Sequence, residues 1–232
     1  MSKQACKLIL ALDLPDKEAA LDSLKKLQGS LEWVKIGLQM YLKYGADFVN
    51  EVAKMGFKIF LDLKLYDIPN TVASAVKSVG VLPIQMLTIH ASGGAEMIKA
   101  ALESAKAVNE NLEIFAVTVL TSFDDEGLAK TGVSLNPEKQ VQLLAKLAVE
   151  NGVKGLVCSP KEISVLRKIL PENIDLITPG IRPKGSSADE QKRITTPADA
   201  AKMGSSYIVV GRPILKAQNP AQAALDIIKE IS

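Results

Sequence analysis

Short runs of apolar, often β-branched residues recur along the chain at 8–14, 33–38, 57–65, 86–91, 114–120, 155–159, 175–179 and 207–211. Their length and composition predict buried strands. Between them the apolar positions switch to a helical spacing, as in 17–27, 137–150 and 220–231, and Asn136 followed by Pro137 forms an N-cap with proline at the first helical position. Strand and helix therefore alternate through eight units. That count predicts an α/β protein with a parallel sheet closed into a (β/α)8 barrel of the TIM type, near the lower end of its usual length. A single catalytic domain over residues 1–232 is expected, with no internal repeat and no low-complexity segment. An open doubly wound sheet is the alternative. It needs fewer strands and usually carries a nucleotide-binding loop, yet no GxGxxG occurs, and GIRPKGSS at 180–187 lacks the Lys-Ser/Thr of a P-loop.

Composition narrows the function classes. The 232 residues are 47% hydrophobic and 23% charged, enough to bury a substantial core. Twenty-eight Lys and Arg against 26 Asp and Glu leave a net charge of +2, and aromatics make up 4%, so neither the charge nor the stacking rings of a nucleic-acid binder are present. Cys6 and Cys158 form no CxxC pair and His90 is the single histidine, which excludes a zinc ribbon and a His-rich metal site. The apolar run at 8–12 is too short for a signal-peptide core, and the uncharged stretch 78–95 is broken by proline, histidine and glycines. A soluble cytoplasmic protein that binds no membrane is expected.

In such a barrel the active site lies at the C-terminal ends of the strands. Polar residues gather there: Asp13 after the first run, Lys35 in the second, Asp62 and Lys64 in the third with Asp67 just beyond, Thr121 after the fifth, Arg182 after the seventh, Arg212 after the eighth. In FLDLKL, Asp62 and Lys64 are two apart and share one face of the strand, while Leu61, Leu63 and Leu65 face the helices. An isolated charge inside the barrel is costly, so the two need each other, with Lys35 from the neighbouring strand as third member and Asp67 available to extend an alternating chain. A structural ion-pair cluster is the competing reading. Two of the chain's four arginines, Arg182 and Arg212, stand beside Gly180 and Gly211, where barrels bind phosphate through loop amides and a guanidinium suits a phosphate dianion. The polar segment 182–190, followed by Gln191, has the composition of a lid and equally of a plain solvated loop. His90 reads as a hydrogen-bonded interior histidine and Cys158 as core packing.

Read together, these residues resemble the orotidine 5'-phosphate decarboxylase family over residues 7–230. Asp-x-Lys-x-x-Asp stands here as DLKLYDIPNT from Asp62 to Thr71, and LALD, VKIG, VLTS, TPGIR and VVGRPI follow the family in the same order. The resemblance implies a cofactor-free (β/α)8 homodimer that converts orotidine 5'-phosphate to uridine 5'-phosphate and carbon dioxide in pyrimidine nucleotide synthesis. It implies Lys64 as proton donor, with Lys35, Asp62 and Asp67 completing the charged network and Asp67 and Thr71 supplied by the partner chain. Asp13 is implied at the ribose hydroxyls, Thr121 at the pyrimidine, and Arg182, Gln191, Gly211 and Arg212 at the phosphate. Tyr66 departs from the histidine common at its position, and it is expected to face away from the charges.

Two other functions compete. A metal-dependent sugar-phosphate decarboxylase or epimerase also carries DxKxxD, but an ammonium from Lys35 beside Asp62 repels a divalent cation. A non-catalytic phospholigand-binding barrel keeps the arginines and has no use for an inward Lys-Asp-Lys cluster.

Overall fold

The computed structural model describes residues 5–184 and 195–232. Eight strands, β1 (Lys7–Ala11), β2 (Trp33–Gly37), β3 (Lys58–Leu65), β4 (Met86–His90), β5 (Glu113–Val117), β6 (Gly155–Val157), β7 (Asp175–Thr178) and β8 (Tyr207–Val210), follow one another around the barrel in sequence order. All pairings are parallel, and β1 closes on β8 with Ile9 opposite Val209. Helices connect the strands, and the expected Lys17–Leu27, Pro137–Glu150 and Pro220–Ile231 have those bounds. A side-chain oxygen caps each: Asp16 accepts from the Ala19 N–H, Asn136 from Lys139 and Asn219 from Gln222.

Period-two alternation sorts the strand residues into two layers. Leu8, Leu10, Val34, Ile36, Leu61, Leu63, Leu87 and Ile89 pack outward under the helices. Ile9, Ala11, Trp33, Phe60, Met86, Phe115, Ile177, Tyr207 and Val209 fill the interior. Gly155 makes that filling possible, because a Cβ there would lie 2.0 Å from the Phe115 ring. This apolar plug occupies the lower barrel and confines polar inward positions to the C-terminal mouth.

The runs at 8–14, 114–120 and 175–179 outlast their strands, which end at Ala11, Val117 and Thr178. Apolarity reports burial, and burial continues past the ladder: Leu12 is fully buried and Val119 nearly so. A single further backbone bond follows in two cases, from Leu12 N–H to Lys35 and from Thr118 N–H to Val157. Thr121 therefore sits in a turn, four residues beyond its strand.

Candidate active site

Four charges alternate at the mouth between β1 and β3. Lys35 Nζ lies 3.4 Å from Asp13 Oδ1 and 3.6 Å from Asp62 Oδ2, and Lys64 Nζ lies 2.8 and 2.7 Å from the two Asp62 oxygens. The Lys-Asp-Lys cluster expected from the sequence is thus assembled, and Asp13 joins its outer end. Asp62 is buried at 8% exposure. Burial alone would raise its pKa. The ammoniums of Lys35 and Lys64, with hydrogen bonds from Lys64 and Thr88, outweigh burial and hold the carboxyl below the usual aspartate value.

Room for Lys35 comes from Gly37, two residues along the same inward face. A Cβ at Gly37 would stand 2.9 Å from Lys35 Nζ and 3.4 Å from Asp13 Oδ1. Nothing in the VKIG segment alone distinguishes this role from that of an ordinary strand-end glycine.

The end of β3 is not a regular strand. Lys64 has φ 51°, making it the one non-glycine residue with positive φ among those described, at a cost of about 1–2 kcal/mol. The register with β4 passes from Leu61 opposite Leu87 to Leu65 opposite Ile89, so β3 carries two extra residues at this point. Asp62 and Lys64 share the inward side as expected, but a bulge, and not simple alternation, sets the lysine's height and direction. Facing the bulge is Thr88 on β4, fully buried. Its Oγ1 accepts the Lys64 backbone N–H at 2.8 Å and donates to Asp62 Oδ1 at 2.9 Å. Sequence reading passed over Thr88, since threonine is common in strands. Its signal was its position, an inward polar residue between Met86 and His90.

Asp67 does not extend the charge chain. It is exposed, its carboxylate accepts the Ile68 N–H at 2.6 Å, and among the described residues it forms no ion pair with Lys64. Thr71 is likewise exposed. The cause is local: after Leu65 the chain leaves the ladder and begins the helix Pro69–Gly80, which turns both residues outward.

His90 departs from expectation. It is half-buried, and in place of a hydrogen bond among the described residues its ring packs tilted on Tyr66, centroids 5.7 Å apart. Burial, reinforced by the Lys64 charge, lowers its pKa and favours the neutral ring. Tyr66 itself is 62% exposed. Cys158 is buried core as expected, and desolvation drives its thiol pKa far up.

The other half of the mouth carries Arg182 and Arg212. Gly180 adopts φ 78°, after which Ile181 bridges to Thr195 and the Arg182 guanidinium donates to the Ile181 carbonyl at 2.9 Å. Gly211 lets β8 approach β1, because its Cβ would meet Ala11 at 3.2 Å, and Arg212 follows at the start of the short helix Arg212–Leu215. Thr121 lines a cavity of about 440 Å³ past the ends of β5 and β6, together with Phe123, Ser159 and Glu162. Gln191 and the segment 185–190 of the expected lid lie outside the described residues.

Among the described residues no cluster of three or more His, Cys, Asp or Glu side chains is arranged to hold a metal ion, and no helix is long and apolar enough to cross a membrane.

Comparison with known proteins agrees with this geometry. A crystal structure of orotidine 5'-phosphate decarboxylase from Lactobacillus acidophilus superposes with a TM-score of 0.87 at 38% identity, covering 98% of this chain and 99% of that one. The orotidine 5'-phosphate decarboxylase of Opitutus terrae is 51% identical over 227 residues, 98% of this chain and 99% of its own length. That of Dichelobacter nodosus is 47% identical over 216 residues, 93% and 94% of the two chains. Residues 6–227 match the family described as Orotidine 5'-phosphate decarboxylase / HUMPS, and the chain belongs to that family.

Proposed function

We propose that this protein decarboxylates orotidine 5'-phosphate to uridine 5'-phosphate and carbon dioxide in pyrimidine nucleotide synthesis, as one catalytic domain over residues 1–232 acting in the cytoplasm. The observation that carries the reading is the Lys35–Asp62–Lys64 array, two ammoniums fixed on one buried carboxylate at the barrel mouth. When the bond from the ring carbon to its carboxylate breaks, the electron pair stays on an sp2 carbon that cannot delocalise it. The pair then needs a cation already in place and a proton close by. Lys64 supplies both. Its ammonium faces the developing carbanion, transfers one N–H proton to that carbon as carbon dioxide leaves, and regains a proton from solvent. Asp62 keeps Lys64 charged and positioned beforehand, and its own negative charge crowds the substrate carboxylate that the reaction removes.

The remaining assignments are those the family resemblance implies. Asp13, held by Lys35 at the outer end of the array, meets the ribose hydroxyls, and Thr121 meets the pyrimidine from the β5 side. Arg182, Gln191, Gly211 and Arg212 bind the phosphate, whose binding energy lowers the barrier from a distance. No cofactor takes part. The family also includes the HUMPS branch, but the Lys35 ammonium, 3.6 Å from Asp62, occupies by charge the place a divalent cation would take beside that carboxylate.

Asp67 and Thr71 act across a homodimer. Support comes from their outward placement and from exposed apolar residues in the segments that follow β2 and β3, Leu38, Leu42, Tyr66 and Ile68. The partner's Asp67 then completes the charge chain that this subunit's Asp67 leaves open.

The first test follows the ultraviolet absorbance of orotidine 5'-phosphate with purified protein, with and without a chelator. Turnover equal in both is expected, and loss of turnover to the chelator would overturn the cofactor-free reading. The second mixes Lys64→Ala and Asp67→Ala chains, each inactive alone, by brief unfolding and refolding. Half of randomly paired dimers are hybrids with one intact site in two, so about a quarter of wild-type activity returns. Hybrids verified by mass with no recovered activity would place Asp67's action within its own chain.

A further inference from the structure

We propose that Thr88 is a positioning residue for the catalytic ammonium, acting through the backbone of Lys64 and the carboxylate of Asp62. The inference rests on the decarboxylase reading of the site and adds a residue to it.

The argument begins with the bulge. Two extra residues on β3 interrupt the ladder with β4, and Lys64 takes a left-handed backbone conformation that L residues rarely adopt. A buried bulge leaves amide groups without ladder partners, and such groups must find other acceptors. Thr88 supplies one. Its hydroxyl oxygen accepts the Lys64 N–H, and its single proton goes to Asp62 Oδ1. Both roles of one hydroxyl are used, and its β-branched side chain, fully buried, has restricted freedom to turn away.

Thr88 therefore ties the main chain of Lys64 to the carboxylate that grips the Lys64 ammonium. The lysine is fixed at its backbone N–H by Thr88 and at its side-chain Nζ by Asp62. Without the hydroxyl, Asp62 Oδ1 loses a donor that lowers its pKa and the strained turn at Lys64 loses its nearest acceptor. The ammonium then has freedom to leave the line to the reacting carbon, where a misplacement near 1 Å costs on the order of a hundredfold in rate. A threonine serving only as core filler would make neither bond, and valine would replace it.

The test compares Thr88→Val, which keeps the shape and removes the hydroxyl, with Thr88→Ser, which keeps the hydroxyl. Thr88→Val is expected to lower kcat by about ten- to a hundredfold while KM for orotidine 5'-phosphate and the Kd of uridine 5'-phosphate stay within about threefold; Thr88→Ser is expected to stay within about threefold of wild type in all three. Two readouts need no substrate. By NMR, the Lys64 amide should exchange slowly in wild type and Thr88→Ser and at least about tenfold faster in Thr88→Val, and the Asp62 carboxyl should titrate higher in Thr88→Val. Equal kcat for the valine and serine variants would overturn the proposal. If Thr88→Val does not fold, the wild-type measurement decides, since a Lys64 amide exchanging like an exposed one means the hydroxyl does not hold it. If wild-type protein fails to decarboxylate orotidine 5'-phosphate, the functional reading fails by itself, and the amide and carboxyl measurements still decide whether Thr88 fixes Lys64.

Discussion

Asp62 is a buried carboxyl and Glu162 a partly buried one, both near the C-terminal ends of barrel strands, and the protein treats them in opposite ways. At Asp62 burial is overcome by Lys35 and Lys64, and the pKa falls. At Glu162 burial dominates: a hydrogen bond from the Ser159 N–H and the charge of Lys161 only partly offset it, Glu138 opposes them, and the pKa is pushed up to about 7. Depth does not explain the difference, since the more buried Asp62 is the one whose pKa falls. What differs is the supply of cations: Asp62 receives Lys35 from the neighbouring strand and Lys64 from its own, while Glu162 receives a backbone amide within its own turn. A carboxylate gripped by two ammoniums and a structural cap thus arise from one chemical group at one end of one fold.

The largest expected effect removes the cation that makes Asp62 different. Lys64→Ala should lower turnover by more than about 10⁴-fold, because the proton donor and the charge facing the carbanion go together. Binding of uridine 5'-phosphate, measured by calorimetry, should remain detectable, since Arg182 and Arg212, proposed for the phosphate, follow β7 and β8. Near-normal turnover would end the assignment of Lys64.

Lys35→Met asks whether the second cation is needed. With only Lys64 and the Thr88 hydrogen bond opposing desolvation, the Asp62 carboxyl should titrate higher than in wild type, and turnover should fall by about a hundredfold. The pH dependence has a definite sign. In wild type the Asp62 pKa is depressed on folding, so its stabilisation is present above the ordinary aspartate value and disappears as pH falls through the folded value. In Lys35→Met that loss should begin at higher pH, visible as an acid unfolding midpoint moved upward. An unmoved midpoint would mean Lys64 alone sets the Asp62 charge.

The comparison also shows which features a sequence exposes. The eight strands were legible because buried parallel strands are continuous apolar runs, and Asp13, Lys35, Asp62 and Lys64 stood out as charges inside or just beyond such runs. Strand ends were overextended at Ala11 and Val117, since apolar residues remain buried after pairing stops. The bulge was hidden because alternation assumes one residue per step, and FLDLKL satisfies that pattern while β3 takes two extra residues against β4. Thr88 and Gly37 were hidden for a related reason. Their roles exist only across strands, one as a hydroxyl facing a turn, the other as an empty space beside an ammonium. Glu162 was legible in principle: Ser159-Pro160-Lys161-Glu162 is a capping box, and the structure forms both of its bonds.

The smallest expected effect lies at Glu162 itself and sharpens the contrast from the other side. For an acid whose pKa is raised on folding, the contribution to stability is fully present below the unfolded value and is lost as pH rises through the folded one. For Glu162 that window runs from its ordinary 4.5 to about 7. Wild-type protein should therefore lose stability across this interval from this group, by up to a few kcal/mol, or several degrees in Tm for a chain of this length. Glu162→Gln keeps an oxygen to accept the Ser159 N–H and removes the titration. The variant should gain on wild type as pH rises from 5 to 8, and the difference in Tm between the two proteins should change over that range alone, since His90 and other groups titrating there are common to both. Parallel Tm curves would mean that Glu162 is ionised throughout. The Ser159 amide and Lys161 would then do for it what two ammoniums do for Asp62, and the distinction between the two carboxyls would collapse.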